Sequence, residues 1–214
     1  MNKLVVANLK NFLDDYNVEN YIKNIKNIDY DNLIVFPQDK YIDLFISNNY
    51  KVGVQDLNDN YNKVNYILLG HYDKRKNGES NDLINEKIKL SLEKNLKIIL
   101  CIGNNKDDDY KYLYNQIDNC LKGISNDQLN NIILAYEPFY MIGNDLSIDI
   151  NIINDYINNI KNYIKTNYNI DIKVLYGGNV NESNVNEIIK ICDGVLIGRA
   201  SFDIDKFTQI LHKI

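Results

Sequence analysis

Residues 131–143 read Asn131-Ile-Ile-Leu-Ala-Tyr-Glu137-Pro138-Phe-Tyr-Met-Ile-Gly143. Ile132, Ile133 and Leu134 form a short apolar run, the mark of a parallel strand buried on both faces. The run ends at Glu137. A carboxylate at the end of a buried strand is costly unless it has partners or a task. Pro138 stops a helix from starting there, and Gly143 with Asn144 and Asp145 makes a loop. Alone, Glu137 reads as a solvated loop residue. The pattern around it, strand then acid then rigid hinge then loop, becomes informative because it recurs along the chain.

Working outward, apolar runs at Lys3–Ala7, Asn32–Phe36, Lys51–Gln55, Tyr66–Leu69, Lys97–Cys101, Lys173–Tyr176 and Gly194–Ile197 repeat the strand signal. Between most of them apolar residues recur at helical spacing, as in Val18, Tyr21, Ile22 and Ile25, or Ile153, Tyr156, Ile157, Ile160 and Ile164. Ser80 is placed to cap the helix begun by Leu83. Eight strands alternating with helices, with no linker between them, predict an α/β protein of parallel strands and crossover helices. Eight units favour a closed barrel, and rhythm alone leaves an open doubly wound sheet as the alternative. No G-x-G-x-x-G or Walker-type glycine loop supports nucleotide binding. One connection is short: Asp56–Asn65 has only Leu57, Tyr61 and Val64 as apolar residues. It predicts a turn, so the helix after strand three is reduced or missing.

At 214 residues the chain can bury a large core, and the expectation is one domain over 1–214. Hydrophobic residues at 45% and charged residues at 25% are globular values, and a net charge of −5 argues against a nucleic-acid surface. No apolar run is long enough to span a membrane. Met1–Lys10 lacks a secretory apolar core. Cys101, Cys120 and Cys192, without C-x-x-C spacing, read as reduced thiols in a cytoplasm rather than disulfides or a metal site.

In a barrel the loops after the strands form the functional face. Asn8 and Lys10 follow strand one, His71 strand four and Glu137 strand six. Gly177-Gly178 follow strand seven and Gly198 strand eight. Glycines there let backbone N–H groups approach a phosphate; tight-turn geometry is the other reading.

These residues carry a resemblance. VVANLK (5–10), ILLGHYDKR (67–75), LKIILCIG (96–103), AYEPFYMIG (135–143), VLYGGNVNESN (174–184) and CDGVLIGRASF (192–202) resemble, in order and spacing, the segments of the triosephosphate isomerase family. The resemblance implies a (β/α)8 TIM barrel that interconverts dihydroxyacetone phosphate and glyceraldehyde 3-phosphate without metal or organic cofactor. It implies Glu137 as the base, neutral His71 as the electrophile and Lys10 as the cation stabilising the enediolate. Asn8 would position substrate, and Gly143, Asn179, Gly177, Gly178, Gly198 and Arg199 would surround the phosphate. A lid from Pro138 to about Asp149 would close over it, with Ile142 and Leu196 flanking the base.

The sequence departs from the family in places. Tyr72 and Asp73 stand where serine and glutamate are usual, and the shorter acid is expected to hold Lys10 less well. Lys74 replaces an arginine, and the lid tip, Gly143–Ser147, lacks its usual second glycine and lysine. Arg199 replaces a glycine, so its N–H can bind only if the backbone there accepts a side chain. The expectations open to test are an active isomerase, a decayed barrel that only binds sugar phosphates, and another phosphate-handling barrel enzyme such as an epimerase. The family is dimeric through a long loop in the position of Asp56–Asn65, so the short connection predicts a monomer or an altered dimer.

Overall fold

The structure, a computed structural model, describes residues 3–28, 30–57, 60–143 and 149–214. Eight parallel strands close into a barrel in the order β1-β2-β3-β4-β5-β6-β7-β8. They are β1 (Leu4–Asn8), β2 (Leu33–Phe36), β3 (Lys51–Val54), β4 (Tyr66–Leu69), β5 (Lys97–Ile102), β6 (Ile132–Tyr136), β7 (Val174–Tyr176) and β8 (Gly194–Ile197). The apolar runs fall within a residue or so of these bounds, and closure removes the open-sheet alternative. The last strand pairs with the first, Val5 opposite Val195 and Ala7 opposite Ile197.

Alternation along each strand separates two cores. In β5, Ile98, Leu100 and Ile102 pack outward against the helices, while Ile99 and Cys101 point into the barrel with Val6, Phe36, Leu68, Ala135, Leu175 and Leu196. Phe36 is large for a barrel interior. Its neighbour Gly53 makes the room, since a Cβ at Gly53 would overlap the Phe36 ring.

The outer layer comprises α1 (Val18–Lys26), α2 (Ile42–Ser47), α3 (Tyr72–Lys76), α4 (Asn81–Glu93), α5 (Tyr110–Leu121), α6 (Asn126–Leu129), α7 (Ile150–Tyr168), α8 (Val185–Ile191), α9 (Arg199–Phe202) and α10 (Ile204–His212). Ser80 caps α4 as expected, its Oγ accepting from Leu83 N–H at 3.2 Å, worth about 1 kcal/mol. The longest helix, α7, buries Ile153, Ile157, Ile160 and Ile164 of the stripe read from the sequence and leaves its Tyr156 half-buried. Short helices α3, α6 and α9 were not foreseen, because one turn carries no periodicity to detect.

Between β3 and β4 the described residues hold one 3₁₀ turn, Tyr61–Lys63, while residues 58–59 lie outside them. This is the reduced crossover that its ten polar-rich residues predicted. The turn is fastened to its own barrel. Lys63 pairs with Asp43 of α2 at 2.8 Å, and Lys94 Nζ stands 3.9 Å from the Tyr61 ring centroid.

Candidate active site

Glu137 leaves β6 as a continuation of the sheet, its N–H donating to Ile102 O at 2.8 Å. Phe139 N–H donates to Asn104 O at 2.9 Å, which seats the 3₁₀ turn Phe139–Met141 beyond Pro138. Gly103 makes this approach sterically feasible, because a Cβ there would collide with Glu137 O and the Phe139 ring. Gln116 clamps Gly103 from below, its Nε2 donating to Gly103 O at 2.6 Å and its Oε1 accepting from Gly103 N–H at 3.2 Å. The carboxylate therefore projects into the barrel mouth from a fixed backbone. Its side chain is 1% exposed.

His71 lies two residues past the end of β4 and caps α3. Its Nδ1 accepts from Asp73 N–H at 3.3 Å. A ring nitrogen that accepts carries no proton, so the neutral ring bears its hydrogen on Nε2. Nε2 lies 3.2 Å from Glu137 Oε1, and Glu137 Oε2 accepts from Tyr72 N–H at 3.0 Å. Both carboxylate oxygens are thus satisfied. Burial still raises the Glu137 carboxyl above its ordinary value, with His71, the Tyr72 N–H, Lys10 and Arg75 pulling it back down. A base of raised pKa is suited to taking a proton from carbon near neutral pH. Behind it the Cys101 thiol is held protonated, first by burial and then by the Glu137 charge.

Lys10 has φ 46°, a left-handed conformation that costs a lysine about 1–3 kcal/mol. Asn8, buried at the end of β1, accepts from Lys10 N–H through Oδ1 at 3.3 Å. Gln55, just past β3, donates from Nε2 to Lys10 O at 3.2 Å and also to Phe36 O and Pro37 O at 3.1 Å. Lys10 Nζ reaches Asp73 Oδ2 at 2.6 Å. The short acid therefore does reach the lysine. It succeeds because Asp73 lies in the first turn of α3, next to His71. Burial acts to raise the Asp73 carboxyl, but the Lys10 hydrogen bond and charge, with His71 and Lys76, hold it below the usual range. Gln55 escaped the sequence reading, although its place immediately after a barrel strand is the signal that singled out the other residues.

The glycines differ in their reasons. A Cβ at Gly177 would stand 3.0 Å from Glu137 Cγ and 3.3 Å from Leu196 Cδ2. The Gly177 N–H is already donated to Tyr136 O at 2.8 Å, so its contribution is clearance beside the base. A Cβ at Gly178 would collide with the Tyr176 hydroxyl. At Gly198 a Cβ would meet open space. Gly143 has φ 83°, and the lid residues 144–148 lie outside the described residues. Arg199 begins α9 without left-handed strain, so a side chain replaces the family's glycine there at no backbone cost.

Asn8, Lys10, His71, Glu137, Ile142, Gly143, Gly177, Gly178, Asn179, Leu196, Gly198 and Arg199 all line one open cavity of about 710 Å3, large enough for a small phosphorylated sugar. Residues scattered from position 8 to position 199 thus share one mouth of the barrel. Among the described residues no group of three or more His, Cys, Asp or Glu is placed to hold a metal ion, and no helix is long and apolar enough to cross a membrane.

The chain matches the family model for triosephosphate isomerase over residues 3–214. It is 32% identical to the triosephosphate isomerase of Ureaplasma parvum serovar 3, with 99% of each chain covered. That alignment runs over 241 residues, more than the 214 here, so the relative carries segments that this chain lacks. It is 30% identical to the Mycoplasma genitalium enzyme of the same name, over 89% of this chain and 80% of that one. The Mycoplasmoides gallisepticum enzyme is 36% identical over 70% of this chain and 64% of its own. A match that starts just before β1 and ends just after α10, on a closed barrel of eight parallel strands, is decisive: the chain belongs to the triosephosphate isomerase family.

Proposed function

We propose that Glu137, His71 and Lys10 carry the interconversion of dihydroxyacetone phosphate and D-glyceraldehyde 3-phosphate in this protein. The observation behind the assignment is the pair formed by a buried carboxylate whose pKa is raised and the His71 ring, whose Nε2 stands 3.2 Å from it. Glu137 takes a proton from the carbon beside the carbonyl. The carbonyl oxygen gains negative charge as the enediolate forms, and the His71 Nε2–H hydrogen-bonds to it. Lys10 lowers the energy of that charge. Glu137 then delivers that proton to the former carbonyl carbon, while the hydroxyl hydrogen passes by way of His71 to the former carbonyl oxygen and the new carbonyl forms on the first carbon, so no atom is gained or lost. Asn8 positions substrate, while Gly143, Gly178, Asn179, Gly198 and Arg199 surround the phosphate and Gly177 leaves clearance at the base.

A coupled assay with dihydroxyacetone phosphate tests this reading. Turnover by the wild type is expected. Tight binding of triose phosphate without turnover would instead make the protein a sugar-phosphate-binding barrel.

The reading extends to the whole protein as a single barrel domain acting in the cytoplasm. It includes a monomer, or a dimer through another surface. The support is that the described residues between β3 and β4 hold one 3₁₀ turn, which pairs with its own α2 and Lys94. Sedimentation at micromolar concentration should give one chain per particle. A tight dimer centred on residues 56–65 would overturn this.

A further inference from the structure

Lys10 is a central residue of the turn that follows β1. Phe12 N–H donates to Leu9 O at 3.2 Å and closes that turn over Lys10 and Asn11. A positive φ at the first central position of a turn ordinarily takes glycine or asparagine, yet Lys10 holds φ 46° there. Such a backbone persists only where its surroundings over-determine it, so both ends of the turn have to be fixed. At the near end Leu9 is buried and its N–H donates to Phe36 O at 3.0 Å. At the far end the Phe12 ring lies on the Phe202 ring, with centroids 4.0 Å apart and planes inclined by 24°. Phe202 ends α9, which is itself firmly seated. Ser201 beside it is buried, its Oγ donates to Gly198 O at 2.6 Å, and its carbonyl accepts from the Tyr21 hydroxyl at 2.5 Å. One residue past Phe12, Gln38 Nε2 donates to Leu13 O at 3.0 Å. The loop is thus tied to the β2 side by hydrogen bonds and to the β8 side by a ring. Phe12 is 50% exposed, so its removal leaves no cavity in the core.

We propose that Phe12, through its stack on Phe202, is a positioning residue for Lys10: it holds the far end of the turn, and so keeps the ammonium group beside Asp73 at the cavity. This rests on the isomerase reading of the same cavity, which Lys10, Phe12 and Phe202 all line. The stack bridges the loops after β1 and β8, the two strands whose pairing closes the barrel. Without the ring the turn can relax toward an ordinary φ. The Cα–Cβ bond of Lys10 then swings with the backbone and carries Nζ away from Asp73. A cation that stabilises developing charge acts fully only when it is in place beforehand. An aromatic pair contributes about two- to tenfold to an equilibrium beyond the area it covers, so the loss should be of that size.

The experiment compares wild type, Phe12→Ala, Phe202→Ala, the double variant and Phe12→Tyr. Each is measured for kcat/KM with dihydroxyacetone phosphate, for thermal midpoint, and for the titration of the Asp73 carboxyl by NMR of its carbon. Against its burial, Lys10, His71 and Lys76 hold that carboxyl below its ordinary value of 3.8, so its titration reports where Lys10 stands. Either alanine variant should lose about two- to tenfold in kcat/KM, and its Asp73 should titrate closer to 3.8 than in wild type. The double variant should be little worse than the single ones, because one stack is lost in each case. Phe12→Tyr keeps a ring and should match wild type in both readouts. An Asp73 titration unchanged in Phe12→Ala overturns the proposal, whatever happens to activity or thermal midpoint, since the ring would then not act through Lys10. Full additivity in the double variant overturns it too, as does a Phe12→Tyr variant impaired like Phe12→Ala. Because the titration needs no turnover, an inactive wild type would reject the isomerase reading while leaving the Phe12 comparison decisive.

Discussion

The two halves of the barrel mouth hold their functional groups by different means. On the β5–β8 side the backbone does it. β5 and β6 pair over five residues, Ile98 with Ile132 through Ile102 with Tyr136. The ladder continues into the loops through Glu137 N–H to Ile102 O and Gly177 N–H to Tyr136 O. Glycines let those strands and loops close together. On the β1–β4 side β3 pairs with each neighbour over only two residues, and the described residues of the crossover beyond it hold one 3₁₀ turn. There Lys10 sits in a strained conformation held by side chains: Asn8, Gln55 and Asp73. Adding a methyl group should therefore be most damaging on the first side, and removing a polar group most damaging on the second.

The largest effect tests the base itself. Glu137→Gln is nearly isosteric and keeps an acceptor for the Tyr72 N–H. Turnover should fall by about 10²–10⁴-fold in a folded protein, as for loss of a positioned general base. Near-normal turnover would remove Glu137 from the chemistry and make the fixed backbone around it irrelevant to catalysis.

A smaller loss should come from Gly177→Ala. The added Cβ would lie 3.0 Å from Glu137 Cγ, inside normal contact, and Leu196 closes the other side. The carboxylate has to shift, and a displacement of about 1 Å can cost on the order of a hundredfold in rate. The fall should be in kcat, with circular dichroism unchanged. An unaffected kcat would show that Glu137 has more freedom than its burial suggests.

Gln55→Leu probes the other side and should cost less, about tenfold in kcat/KM, or ~1.4 kcal/mol. Gln55 is a positioning residue: its Nε2 meets three carbonyls, one of them that of Lys10. Thermal stability and activity should separate, with the loss concentrated in the step that Lys10 assists. Parallel loss of both would reduce Gln55 to a general structural contact.

How far each half could be read in advance follows the same division. β6 and its glutamate were legible because an apolar run, an acid and a proline are consecutive in sequence, and local order is what sequence patterns report. The short β3–β4 crossover was legible from residue counting alone. The Lys10 support was not. Asp73 was expected to hold Lys10 less well for its length, and its position in the first turn of α3, which brings it within 2.6 Å of Lys10, is not written in that length. Gln55 meets Lys10 across 45 residues of chain. Pairings of that kind depend on barrel closure, which rhythm suggested and could not by itself fix. The reasons for Gly177 and Gly178 were likewise tertiary: each avoids a specific side chain, Glu137 in one case and Tyr176 in the other.

The smallest expected effect is also the one in which the two sides move in opposite directions. Burial raises the Glu137 carboxyl above its ordinary value of 4.5. A carboxyl with a raised folded-state pKa favours the fold in its protonated form. Its contribution to stability is fully present below 4.5 and is lost as pH rises through the raised value. Asp73 is the reverse: Lys10 outweighs its burial and holds it below 3.8. Its contribution is present above 3.8 and is lost as pH falls through the lowered value. Thermal midpoints of wild type, Glu137→Gln and Asp73→Asn, taken from about pH 3 to about pH 8, separate the two. Wild type should gain on Glu137→Gln as pH falls from neutrality toward 4.5, while its turnover declines because the base becomes protonated. Its advantage over Asp73→Asn should stay constant over that interval and shrink only in stronger acid. Because Asp73 is half exposed, its difference should be the smaller and should weaken with added salt. If the Glu137→Gln difference were flat through the same interval, burial would not be what makes Glu137 basic. The carboxylate would then owe its reactivity to orientation alone.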